Sequence, residues 1–155
     1  GNDPPVIHRD LTPDNLVLNH KNDVVLIDFG AANEFVGTAT GTFVGKQSYI
    51  APEQLRGKAT PSSDLYALGG TMYYLLTGSD PEALMASDPR TAEKKDGAED
   101  PNISDEIAEL VLACTQMEEA DRPGSIKRVK ETLAALKANC PDPPPETVEE
   151  KEGEQ

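Results

Sequence analysis

The residues best suited to chemistry fall in three short stretches. They are His8-Arg9-Asp10-Leu11 with Asn15 five positions past the aspartate, Asp28-Phe29-Gly30 eighteen positions after Asp10, and Ala51-Pro52-Glu53 with its glutamate twenty-five positions after Asp28. Asn15 and Asp28 carry hard oxygens of the kind Mg²⁺ takes from one or two side chains. Asp10 is a third oxygen donor, free to orient a hydroxyl and accept its proton. Any one of them alone reads equally well as an ordinary turn or capping residue. That reading does not account for all three together with Phe29-Gly30 and Pro52-Glu53 attached.

Positioning these groups falls to a small set of elements. Leu16-Val17-Leu18 and Val24-Val25-Leu26-Ile27 are short aliphatic runs separated by Asn19-His20-Lys21-Asn22-Asp23, which predicts a hairpin with a five-residue loop. The hairpin would bring Asn15 and Asp28 to adjacent strand ends. Residues 28–63 show no sustained period and are punctuated by glycine and proline, which predicts a long irregular segment. At Thr60-Pro61 a capping hydroxyl precedes a proline at the first helical position. The next residues are apolar nearly all round, so a central buried helix should run from there to Gly78. Ser104-Asp105-Glu106 starts another helix, with Ile103, Ile107, Leu110, Val111 and Cys114 on one stripe. A last helix follows Pro123, with Ile126, Val129, Leu133 and Leu136 on one face. The expected fold class is mainly α with one small β-hairpin.

Composition narrows the function classes. The 155 residues carry a net charge of −14, which disfavours nucleic acid as a partner because neutralising phosphates needs a cationic face. The longest mostly apolar stretch, residues 65–76, is interrupted by Gly69, Gly70 and Thr71 and is too short for a membrane span. Residues 138–155 form an acidic, proline-rich end with too little apolar surface to offset ordering, and are expected to be a disordered tail. Cys114 and Cys140 form no metal or redox motif and read as reduced thiols. With no leader sequence evident, they suggest a cytoplasmic protein, a membrane anchor elsewhere in a parent protein being left open.

The three stretches, in this order and on a loop, hairpin, loop and helix context, resemble the signature of eukaryotic-type Ser/Thr protein kinases. The resemblance extends over residues 4–137 and implies that residues 1–137 are the larger, C-terminal lobe of a kinase domain. The N-terminal lobe, with its glycine-rich loop, strand lysine and helix glutamate, is absent from these residues. It implies Asp10 as the catalytic carboxylate and Asn15 and Asp28 as ligands of Mg²⁺, with Mn²⁺ as an alternative, and of ATP. A protein Ser or Thr would be the acceptor. Asp64, in Asp64-Leu65-Tyr66, would hold the catalytic-loop backbone, and Glu53 would pair with Arg122. Arg9 would meet a phosphate on the segment that carries Thr38, Thr40 and Thr42.

Two departures stand out. Where Ser/Thr kinases usually carry lysine two residues after the catalytic aspartate, this chain has Thr12. Where they usually have threonine after the glycine that precedes Tyr49, it has Lys46. The expectation is an exchange, in which Lys46 supplies the phosphate-directed ammonium and the Thr12 hydroxyl bridges to Asp10. A fragment lacking one lobe is expected to be inactive alone. The alternatives are a non-catalytic, pseudokinase-like interaction module and a small-molecule phosphotransferase of the aminoglycoside or choline type.

Overall fold

The computed structural model describes residues 6–27, 47–93 and 102–139. Among them the chain is mostly helical, with one two-stranded antiparallel sheet, as its sequence pattern predicts. Strands β1 (Leu16–Leu18) and β2 (Val24–Leu26) pair with Leu16 opposite Leu26, Val17 opposite Val25 and Leu18 opposite Val24. Asn19 closes the turn, its carboxamide oxygen accepting the backbone N–H groups of Lys21 and Asp23. The hairpin carries aliphatic residues on both faces, and Val17, Leu18, Val24, Val25 and Ile27 are all exposed.

The irregular stretch expected over residues 28–63 gives way, among its described residues, to a 3₁₀ turn (Gln47–Tyr49) and a short helix, α1 (Pro52–Leu55). Four residues are fewer than any helical period can register, so sequence patterning passed over it. Helix α2 (Pro61–Thr77) spans the predicted limits. The Thr60 N–H is taken by the Ser63 hydroxyl, and Gly78 closes the helix at φ 73°, a conformation that costs glycine nothing. The burial expected all round α2 holds from Ser63 to Thr71, where Asp64 and Leu68 alone are half-buried, while Pro61 at its start and Tyr74 and Leu75 near its end are exposed. Helix α3 (Asp105–Cys114) is capped by the Ser104 hydroxyl, which accepts the Ile107 N–H, and α4 is Ile126–Ala138.

The core lies where these helices meet. Leu65, Leu110, Cys114 and Val129 are buried together, with Leu68, Met72 and Leu133 packed against them. Helices α2 and α3 approach closely at Gly69, where a Cβ would lie 2.7 Å from Cys114 Cβ and 2.8 Å from Thr115 Cγ2. Gly70 leaves similar room for the ring of Tyr49, whose hydroxyl donates to Asp80 Oδ1. Helix α4 ends at Ala138, one residue beyond the boundary expected for the folded part, and residues 140–155 of the tail lie outside the described residues. No helix among the described residues is long and apolar enough to cross a membrane.

Candidate active site

The loop that carries Asp10 is fastened to the start of α2. Asp64, in the first turn of that helix, accepts the backbone N–H of His8 at 2.8 Å and of Arg9 at 3.0 Å through its two carboxylate oxygens. A carboxylate in that turn is also favoured by the helix dipole. His8 is buried, with Nδ1 3.2 Å from the Asp10 N–H and Nε2 3.2 Å from the Ile27 carbonyl. The first neighbour is a donor and the second an acceptor, so Nδ1 accepts from the Asp10 N–H and Nε2 donates to the Ile27 carbonyl. His8 thereby ties the loop to the strand end that leads to Asp28.

Asn15 closes the arrangement. Its Nδ2 donates to the Asp10 carbonyl at 2.6 Å and to Asp10 Oδ2 at 3.1 Å, and its own carbonyl accepts the Ile27 N–H at 2.8 Å. Both side-chain neighbours are acceptors, so the amide has to present its NH₂ to them. Its Oδ1 has no hydrogen-bond partner among the described residues. That leaves a hard oxygen at the other end of the amide, of the kind that suits Mg²⁺. The second expected ligand, Asp28, lies outside the described residues, as do Lys46, Thr38, Thr40 and Thr42.

Thr12 corrects one expectation. Its side chain is buried, yet Oγ1 has no partner and so makes no bridge to Asp10; among the described residues Asn15 donates to the Asp10 carboxylate. Arg9 has a buried Nε with no partner, and its backbone sits at φ 68°. That conformation is strained for a residue with a side chain.

Glu53 and Arg122 meet as expected across 69 positions of sequence. The guanidinium donates to Glu53 Oε1 at 2.6 Å and to Oε2 at 2.9 Å, and further to the carbonyls of Ser62, Gln116 and Met117. It also lies over the Tyr66 ring, 5.1 Å from the centroid. Burial works against the Glu53 charge, but bonds from Arg122, backbone N–H and Ser63 outweigh it and hold the carboxyl below its ordinary value. This pair fixes α1 against the loop before α4.

A cavity of about 600 Å³ opens behind the loop, lined by Leu11, Leu26, Leu65, Leu68 and Ile126 among others. Neither Asp10 nor Asn15 lines it, so it is not where the two reactive groups point. Among the contacts that escaped sequence reasoning are the Tyr49–Asp80 bond and a bond from the Gln54 side chain to the Arg9 carbonyl. Both join residues far apart in sequence, and no local pattern announces them.

Residues 3–134 match the family model described as protein kinase domain. The chain is 36% identical over 147 residues to Serine/threonine-protein kinase C of Synechocystis sp., a match covering 88% of this chain and 27% of the relative. It is 33% identical over 154 residues to Serine/threonine-protein kinase D of the same organism, covering 92% and 30%. Serine/threonine-protein kinase PknL of Mycobacterium tuberculosis is 32% identical over 160 residues, covering 89% and 39%. The chain thus spans between a quarter and two-fifths of the length of these relatives.

Proposed function

The chain belongs to the protein kinase domain family, and we propose that residues 1–137 form the larger lobe of a Ser/Thr protein kinase that moves the terminal phosphoryl group of ATP to a protein hydroxyl. The observation that carries this reading is the Asp10–Asn15 pair, bonded side chain to side chain and held on a loop that Asp64 anchors. In this reading the Asp10 carboxylate orients the acceptor Ser or Thr hydroxyl and takes its proton as the new P–O bond forms. Asn15 Oδ1 and Asp28 would hold Mg²⁺, or Mn²⁺, which when bound neutralises phosphate oxygens. Asn15 Nδ2 meanwhile restrains Asp10, so that the carboxylate is aimed before substrate arrives.

Lys46 supplies the phosphate-directed cation in place of the residue that Thr12 replaces. The buried Thr12 hydroxyl has no hydrogen-bond partner and carries no charge, which supports a cation reaching the site from another segment. Arg9, with its buried and unpaired Nε, suits a phosphate on Thr38, Thr40 or Thr42. The smaller lobe is supplied by sequence outside this chain and covers the aliphatic hairpin. Support comes from the exposed Val17, Leu18, Val24 and Val25 and from the length of the relatives. The working compartment is the cytoplasm, and the tail after Ala138 serves as a linker.

The test is transfer from Mg²⁺ and ATP by the full-length gene product, with protein and small-molecule acceptors side by side. Phosphate on protein Ser or Thr supports the proposal, while transfer to an aminoglycoside or choline alone overturns it. The 155-residue chain by itself should transfer none, and detectable turnover would refute the two-lobe requirement. Lys46→Ala should abolish most activity and Lys46→Ala with Thr12→Lys should restore part of it; no restoration rules out the exchange. One observation favours a second reading, a non-catalytic interaction module: the loop position usually held by lysine is Thr12, with no partner. Absence of transfer in the full-length protein, with the fold intact, would select it.

A further inference from the structure

Gln54 is buried at 4% exposure, and both ends of its amide are engaged. Oε1 accepts the Ala51 N–H at 3.0 Å, and Nε2 donates to the Arg9 carbonyl at 3.3 Å. That carbonyl belongs to the one residue of the loop held in a left-handed conformation, Arg9 at φ 68°. Such a conformation persists only where the surroundings over-determine it. Here the constraints come from distant parts of the chain: Asp64 takes the Arg9 N–H, and Gln54 takes the Arg9 carbonyl.

The Arg9 carbonyl and the Asp10 N–H are opposite ends of one peptide plane. His8 Nδ1 accepts from the N–H end and Gln54 Nε2 donates to the carbonyl end. A plane gripped at both ends cannot rotate, and its orientation sets the direction in which Asp10 projects its carboxylate. The base of the grip is itself rigid, since the preceding residue, Glu53, is fixed by Arg122 and Ser63. The position requires a side chain that accepts at one oxygen and donates from the neighbouring atom. Glutamate would set a second oxygen against the Arg9 carbonyl, and methionine would do neither.

We propose that Gln54 is a positioning residue for Asp10, through which helix α1 sets the aim of the catalytic carboxylate. This rests on the reading of Asp10 given above. Gln54→Met in the full-length gene product should lower kcat by about 10- to 100-fold, the scale of an Å-level misplacement, with KM for ATP within about twofold of the parent. In the 155-residue chain the same substitution should shift the NMR resonances of the Asp10 amide and Arg9 carbonyl. It should also cost more stability in an Arg9→Gly background than in the parent, because the parent recovers backbone strain when the grip is released, whereas glycine accepts φ 68° without strain and has none to recover. An unchanged kcat per folded molecule would overturn the proposal, as would equal stability losses in the two backgrounds or unmoved Arg9–Asp10 resonances. If Asp10→Asn leaves transfer intact, the catalytic reading fails instead, and the resonances and the two-background comparison still decide whether the clamp exists.

Discussion

Arg122→Ala is the substitution that most directly probes what holds the site's framework together. The Arg122 side chain is wholly buried and makes a two-pronged bond to Glu53, whose own side chain is 8% exposed. Truncation strands that carboxylate with the Ser63 hydroxyl as its remaining side-chain donor, and strips the Gln116, Met117 and Ser62 carbonyls of a donor. Breaking one side of a buried pair costs about 3–5 kcal/mol, against a total stability of roughly 5–15 kcal/mol for a domain. With a urea slope of about 1.5 kcal/mol per molar, the unfolding midpoint of the 155-residue chain should fall by about 2–3 M. Glu53→Leu with Arg122→Met should recover much of the loss, since no buried charge is left unpaired. The pair also sets a pH dependence. The Glu53 carboxyl lies below its ordinary value in the folded state, so its contribution is complete above about pH 4.5 and disappears as pH falls through the lowered native value. Urea titrations at several pH values, followed by circular dichroism, read both effects. A loss below about 1 kcal/mol for Arg122→Ala, with no difference in acid sensitivity from the parent, would refute the reasoning by showing a solvent-screened pair.

Other consequences follow from particular contacts. Gly69→Ala would force a methyl group to within 3 Å of Cys114 and Thr115, so thermal unfolding should show a loss of about 1–3 kcal/mol as α2 and α3 are pushed apart. Burial pushes the Cys114 thiol up to about 11, and its side chain is fully enclosed. At pH 8 a thiol reagent should therefore modify Cys114 only at the rate of unfolding, and rapid labelling in native buffer would contradict its placement in the core. Asp64→Ala releases two backbone N–H groups of the catalytic loop, so hydrogen exchange at His8 and Arg9 should accelerate while amides of α3 keep their protection.

Much of this architecture could be read from residue order, for reasons that are local. Pro61 and Gly78 delimit α2 and Ser104 marks the start of α3, because helix starts and left-handed closure depend on neighbours a few positions away; the hydroxyl of Thr60, expected to cap α2, donates to Glu119 instead. The Glu53–Arg122 pair was anticipated through the resemblance to kinases, since nothing local joins residues 69 positions apart, whereas the Asp10–Asn15 bond was not anticipated. Helix α1 escaped because one turn has no period. The exposure of Tyr74 and Leu75 escaped because an apolar surface does not state what covers it. Thr12 was assigned a bond to Asp10, yet Asn15, three residues further along the loop, takes that role: its planar amide offers two donors, enough to hold the Asp10 carbonyl and carboxylate together, whereas a hydroxyl has one. Gln54 gave no signal, because its part in the site exists only once α1 lies against the loop.

The central claim is that the carboxylate fixed by Asn15 accepts the proton of a protein hydroxyl during phosphoryl transfer. Its most direct test is the rate of radiolabel transfer from the γ-position of ATP to protein Ser or Thr by the full-length gene product, parent against Asp10→Asn. The account predicts measurable transfer that drops by about 10²–10⁴-fold in the variant with its fold preserved. Equal rates in the two proteins would contradict it.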